Sequence, residues 1–314
     1  MTINIQDRLL ERLIQTGAIR VRKNENDMAF WYTSCIPGPY YINVEKIIGP
    51  HIASHLLPQI TKILSSQMNN REKAMSISHM IIDQLNHDMN YLETISLLTE
   101  FYQSKTSLLP QAISGGERRD WFFSVPFAEI MGIPHLFLLK NGDYWCLDNN
   151  DHLTNQNWND MNILHVSDII NTATSYTRYW LPTLKNVGVS LQETLTVVIR
   201  GLPGRQKLEQ NGVRITTPLD LDEAVFVEAC KKNLISQFTL SDILLYMESP
   251  RLWTHNFLNH CERLLIDQVA VMDETQQLRI QTFINNDLYE FAQDFPLLFS
   301  AHEQGGELNV CKDR

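Results

Sequence analysis

The stretch Ile163 to Ser175, ILHVSDIINTATS, restricts the folds open to this chain more than any other. A short apolar run, Ile163, Leu164 and Val166, meets the carboxylate of Asp168 and then a cluster of hydroxyl residues before Tyr176 opens a helical pattern. That order predicts a buried strand, a turn and a helix. Thr172, Thr174 and Ser175 stand beside the backbone N–H groups that a helix start leaves without intrahelical partners, an arrangement suited to an anion. Asp168, just after the strand, could accept hydrogen bonds from the hydroxyls of a sugar attached to that anion, so the segment proposes a phosphosugar ligand. The plainer reading of the same residues is a turn carboxylate followed by a helix cap.

The neighbouring sequence repeats the strand-then-helix order. Leu108 to Ser114 predicts a strand, Gly115 to Trp121 a glycine-rich turn and Val125 to Met131 a helix; Pro134 to Lys140 predicts the next strand. Thr177 to Lys185 predicts a helix, Leu195 to Arg200 a strand, Gly201 to Arg205 a turn, Val213 to Thr216 a strand, and Leu219 to Glu223 the opening of a further helix. Alternation of this kind implies an α/β fold, a mainly parallel sheet with helices on both faces. Ligands of such sheets lie beyond the C-terminal ends of the strands, where Glu117, Lys140 and Asp168 fall. Arg118 and Arg119 could clamp a diphosphate through bidentate hydrogen bonds, or pair with Glu117 or Asp120 on the surface.

Before this region, Ile5, Leu9, Leu10, Leu13 and Ile14 share a helical face that Gly17 ends. Ala29 to Tyr32 and Tyr40 to Asn43 read as two aromatic strands flanking the turn Ile36-Pro37-Gly38-Pro39, a hairpin that either encloses a ligand or packs for stability. Val44 to Gln67 and Arg71 to Tyr102 are helical in pattern. Asn141 to Asp160, rich in Asn and Asp, has the length of an active-site lid. Beyond Ser236 the chain predicts consecutive helices broken at Ser249-Pro250 and near Asp273.

The net charge of −10 with dispersed basic residues excludes a nucleic-acid stripe. Five widely spaced cysteines without a CxxC pair argue against a disulfide framework and structural zinc, and fit a reducing cytoplasm. No apolar run has membrane-spanning length, so neither a signal peptide nor a membrane partner is expected.

The segment around Asp168 resembles the phosphoribosyl-diphosphate (PRPP) motif of type I phosphoribosyltransferases: a mostly apolar strand, acids, two apolar residues, then a Thr/Gly/Ser loop. GAIRV and FWYTSCIPGPYYIN are similar to the opening of the orotate phosphoribosyltransferase branch, where a helix and an aromatic hairpin form a hood. The resemblance covers most of Asp7 to Leu234 apart from residues 68–106, which look like a helical insertion. It implies a phosphoribosyltransferase-like domain over residues 1–235, with residues 1–44 as the hood, and a helical C-terminal extension over 236–314. The loop Asn171, Thr172, Ala173, Thr174, Ser175 would hold the 5-phosphate; Asp168, with Ser167 beside it, the ribose hydroxyls. Gly115, Gly116, Glu117, Arg118, Arg119 and Lys140 would hold the diphosphate with Mg2+, which Asp168 would reach only through PRPP. Tyr40 and Tyr41 would close over the acceptor base. The chain departs from the family at Ser167, where the first acid usually stands, at Ala173 in place of a loop glycine, at Thr33 in place of a lysine, and at Leu139 and Asp143, where basic residues are usual.

Two functions follow as expectations. One is an enzyme, a pentosyltransferase moving ribose-5-phosphate from PRPP to orotate or a related nitrogenous acceptor with release of diphosphate. The other is a regulatory or interaction protein that binds PRPP or a nucleotide without turnover. The resemblance also implies a homodimer, and the C-terminal helices could meet a protein partner.

Overall fold

The computed structural model describes residues 4–49, 51–148, 158–159 and 161–300. The chain opens with helix α1 (Ile5–Gln15), capped by the Asn4 side chain and ended near Gly17, whose φ of 69° is left-handed. Four short strands follow: β1 (Ile19–Val21), β2 (Phe30–Trp31), β3 (Pro37–Gly38) and β4 (Tyr40–Ile42). Their pairing corrects the expected hairpin. β4 pairs antiparallel with β1, not with the Phe30 segment, and Pro37-Gly38, expected as a turn, pairs with β2. The turn sits one step earlier, where Tyr32 N–H donates to the Ile36 carbonyl at 3.0 Å and Cys35 takes φ 60°.

The expected helix from Val44 is broken into a 3-10 turn (Val44–Ile48) and α2 (Ile52–Leu64) at Gly49, where φ is 134°. Residues 68–106, expected as a helical insertion, hold α3 (Asn70–His87), opened by a capping box of Asn69 and Glu72, and α4 (Met89–Lys105), capped by Asp88.

Seven strands then build the main sheet: β5 (Ala112–Gly116), β6 (His135–Leu138), β7 (Tyr144–Leu147), β8 (Ile163–Ile170), β9 (Glu193–Ile199), β10 (Arg214–Thr216) and β11 (Leu219–Asp220). Between them lie α5 (Trp121–Met131), a π-type turn (Tyr176–Trp180) running into α6 (Leu181–Asn186), and α7 (Leu202–Gln210). The order is β10-β9-β8-β5-β6-β7, with β11 also on β9; every pair is parallel except β6 with β7. The architecture is therefore the expected mainly parallel sheet with helices on both faces. α5 packs on β5 and β8, while Trp180, Leu184 and Leu208 join Ala112, Leu138, Ile163 and Ile199 in a buried cluster.

Several sequence boundaries shift. β5 starts at Ala112 and runs through Gly115 and Gly116, which were expected in the turn. Both are buried because the strand is crowded: a Cβ at Gly115 would collide with the Ser124 hydroxyl, and one at Gly116 with the Trp180 indole. Gly201 to Arg205 is not a turn but the start of α7, which tolerates Pro203 in its first turn. Part of the expected lid, Tyr144–Leu147, is strand β7; residues 149–157 and 160 of it lie outside the described residues.

The remaining helices are α8 (Glu223–Lys231), α9 (Gln237–Glu248), α10 (Pro250–Val269), α11 (Glu274–Asn286) and α12 (Pro296–Ser300), with the breaks at Ser249 and Asp273 where the sequence put them. The chain divides into two compact units, residues 1–18 with 43–225 and residues 19–42 with 226–314. The division does not follow chain order as the resemblance implied: strands β1 to β4 fold with the C-terminal helices. In that second unit Trp31 packs edge-on against Phe283, and Arg279 donates to the Trp31 carbonyl at 2.7 Å. Arg22 is buried there over Trp253 and Phe257, paired with both oxygens of Asp242 at 2.8 and 3.1 Å.

Candidate functional site

The C-terminal ends of β5, β6 and β8 open into a cleft of about 380 Å³ within the first unit. Its walls bring together Glu117, Arg118, Arg119 and Lys140 on one side and Ser167, Asp168 and the loop Asn171 to Ser175 on the other. Leu57, Asp120, Ile169, Ile170, Tyr176 and Trp180 complete it. Gly115 and Gly116 do not line it; they lie beneath, inside β5. Tyr40 and Tyr41 belong to the second unit, where Tyr40 is buried against Phe226 and Tyr246, and Tyr41 stacks on Phe30 beside Arg20.

The loop after β8 is shaped for exposure of its polar groups. Asn171, Thr172, Thr174 and Ser175 are exposed, whereas Ala173 turns inward with a left-handed φ of 52°. An alanine there accepts a conformation that costs about 1–2 kcal/mol relative to its usual backbone. The Thr172 and Thr174 hydroxyls lie 2.9 Å apart. From Thr174 the chain is helical, so the first N–H groups of this turn have no carbonyl within the helix to bond. α7 lies directly against the loop: a Cβ at Gly204 would collide with the Asn171 carbonyl oxygen.

Asp168 is half-buried and lies within β8 rather than after it. Its Oδ1 accepts the Ile169 N–H at 2.6 Å, and its own N–H donates to Asp120 Oδ1 at 3.3 Å. Burial first, and then the Asp120 carboxylate, hold the Asp168 carboxyl well above the usual carboxylate range; the Ile169 N–H and Arg119 pull it down, and Glu45 adds to the rise. Ser167 is buried and accepts from the Tyr176 hydroxyl at 2.8 Å, and that hydroxyl also lies 2.7 Å from Thr194 Oγ1. The position is thus tied into the sheet's internal hydroxyl network.

The two arginines do not pair with Glu117 or Asp120. Arg119 Nε lies 2.5 Å from Glu45 Oε2, on the 3-10 turn, and Arg118 donates to Thr61 Oγ1 of α2. The Glu117–Arg118 peptide is cis. Glu117 Oε2 accepts the Lys140 N–H at 3.0 Å, which joins the β5 and β6 ends and leaves the Lys140 side chain exposed.

Asp120, Glu45, Thr61, Leu57 and Trp180 were not singled out as site residues by sequence. Asp120 ahead of an apolar helix reads as an ordinary cap, yet it makes no cap hydrogen bond; its Oδ2 accepts the Gly116 N–H at 3.1 Å instead. Glu45 and Thr61 do not line the cleft but hold its arginines from elements with no motif of their own, so no local signal marks them. Beneath the cleft His165 is fully buried, its Nδ1 3.0 Å from Ser114 Oγ.

No family model matches the chain, and no curated protein matches it. Solved structures are similar to it at low identity. A Leishmania donovani UMP synthase is 12% identical over 77% of this chain, with a TM-score of 0.48; the chain spans 42% of that protein's length. An orotate phosphoribosyltransferase of Francisella tularensis is 11% identical over 77% of this chain and 98% of its own, with a TM-score of 0.49. The Mycobacterium tuberculosis H37Rv orotate phosphoribosyltransferase in complex with PRPP is 13% identical over 69% of this chain and 97% of its own, with a TM-score of 0.41.

Proposed function

We propose that the cleft binds a 5-phosphoribosyl group and that the protein transfers it from PRPP to a nitrogenous acceptor of the orotate type, releasing diphosphate. The observation that carries this reading is the meeting, in one cleft, of the hydroxyl-rich loop Asn171 to Ser175, the carboxyl of Asp168 and the cations Arg118, Arg119 and Lys140. The loop and its free N–H groups suit a phosphomonoester, and Asp168 beside it suits a vicinal diol. Cleavage of the bond to diphosphate leaves positive charge on the sugar and negative charge on the leaving group. Carboxylates and guanidinium groups lining one cleft favour that separation.

The carboxylate oxygens of Asp168 and Glu117 suit a hard cation such as Mg2+. Among the described residues no three ligating side chains converge, so the ion would be held chiefly by the ligand. When bound, it would neutralise charge on the diphosphate. Arg118 and Arg119 would orient that group, and the Asp168 carboxyl would accept hydrogen bonds from the ribose hydroxyls.

A second reading is a PRPP- or nucleotide-binding regulatory protein without turnover. It is favoured by the Glu45 carboxylate, which already engages Arg119. A cytoplasmic homodimer is part of the proposal, on the ground of the family resemblance alone. No described helix is long and apolar enough to cross a membrane. Calorimetric titration with PRPP and Mg2+ tests the shared premise: binding that needs the loop and is lost in Asp168→Ala supports it, and absence of binding to the folded wild type refutes it. Formation of a nucleoside monophosphate and diphosphate from PRPP and orotate then separates enzyme from regulator.

A further inference from the structure

Strands β5 and β8 pair side by side only as far as Ser114 and His165 and then diverge toward the cleft. Divergence leaves the Gly116 and Asp168 N–H groups facing a notch between the two strands, each without a ladder partner across it. The Asp120 side chain fills that notch. Its Oδ2 accepts from Gly116 at 3.1 Å and its Oδ1 from Asp168 at 3.3 Å. A third group points the same way: His165 Nε2, fully buried and without a hydrogen-bond partner among the described residues, lies 3.7 Å from Asp120 Oδ2.

Two main-chain N–H donors and a buried imidazole edge converging on one carboxylate make an anion hole, here occupied by an anion the chain itself supplies. We infer that Asp120 is a resident anion that blocks a diphosphate-binding notch at the floor of the cleft, and so sets how weakly this site holds ligands carrying a second anionic group. The inference deepens the phosphosugar reading and rests on it only for the ligand's identity; the notch itself is defined by Gly116, Asp168 and His165.

The geometry separates this role from a purely structural one. A structural tie, once cut, weakens every property of the site. A resident anion, once removed, exposes donors that water satisfies only in part, and the site gains affinity for an external anion. The two strand ends are also held independently of Asp120, since Glu117 N–H donates to the Leu138 carbonyl at 2.9 Å and Ile169 and Ile170 pair with Val198 and Ile199 of β9. The floor of the cleft therefore has other ties to keep its shape.

The test is isothermal titration of inorganic diphosphate, without metal, into wild type, Asp120→Ala, Asp120→Ser and the isosteric Asp120→Asn. Each variant is first checked for wild-type thermal unfolding and circular dichroism. The alanine and serine variants are expected to bind diphosphate about tenfold to a hundredfold more tightly than wild type, the value of one or two hydrogen bonds to a charged acceptor. The asparagine variant keeps the notch filled and should gain less. Amide resonances of Gly116 and Asp168 should move on adding diphosphate to the alanine variant and not to wild type. A folded alanine or serine variant that binds diphosphate no better than wild type overturns the inference. So does failure of both variants to fold even with excess diphosphate present, because an external anion should then replace the lost carboxylate. Failure of the phosphosugar reading gives a different pattern: the variants gain diphosphate affinity while neither they nor wild type binds ribose 5-phosphate.

Discussion

Acidification should destabilise this protein through one buried imidazole. His135 sits at the start of β6, almost fully buried, with its Nε2 2.8 Å from Ser124 Oγ and its ring edge-on to Phe137 at 4.3 Å between centroids. Burial, and then the neighbouring His165, lower its pKa from 6.5 to about 3. The native state therefore keeps the ring neutral where the unfolded chain takes up a proton. Stability from this group is intact above the unfolded value near 6.5 and is lost progressively as pH falls toward 3. At pH 5 the unfolded chain has gained about 1.5 pKa units of proton binding that the native state lacks, worth ~2 kcal/mol. That figure holds for any native value below about 4 and is a sizeable part of the 5–15 kcal/mol typical of a folded domain. The assay is urea unfolding of wild type and His135→Gln at pH 7.5 and pH 5. Glutamine can still hydrogen-bond Ser124, and the other titrating groups are common to both proteins. The loss of stability between the two pH values should be about 2 kcal/mol smaller in the variant; equal losses would refute the assignment.

Further outcomes are open to equally direct measurement. Gly116→Ala should lower the unfolding free energy by about 1–3 kcal/mol, because its methyl enters the space of the Trp180 indole; an unchanged melting temperature would show that Trp180 moves freely. Asp168→Asn should be more stable than wild type at neutral pH, with an advantage that shrinks as pH falls toward the ordinary carboxylate value and stops changing below it. The raised pKa means that the native carboxyl binds protons more tightly than the unfolded one, so its contribution declines as pH rises; a pH-independent difference in denaturation would contradict this. Arg22→Ala should cost about 3–5 kcal/mol in the second unit by leaving the Asp242 carboxylate buried and unpaired, and replacing Asp242 by Asn in that background should recover part of the loss.

The parts of the molecule legible in the sequence were those written in contiguous residues. The strand opening at Ile163, the hydroxyl loop that follows and the helix breaks at Ser249 and Asp273 each carry their signal within a few positions. What escaped depends on partners far along the chain. The glycines at 115 and 116 look like turn residues until Ser124 and Trp180 are placed against them. Pro203 and Gly204 look like a turn until α7 is seen pressed on Asn171. The pairing of β1 with β4 could not be read from strands of three residues, which are too short to fix a register by alternation. In the cleft the same rule holds: Asp168 and the loop were found by motif, whereas Glu45 and Asp120 matter through what they touch.

The pressing of α7 on the Asn171 carbonyl bears on how a ligand would be met. A loop braced from behind by a helix backbone, with no side chain between to give way, keeps its shape before anything arrives. Little ordering entropy then remains to be lost on association, and the loop need not close as a slow step ahead of binding. Recognition at this end of the cleft should behave as a lock already cut, its rate governed by diffusion and charge rather than by rearrangement.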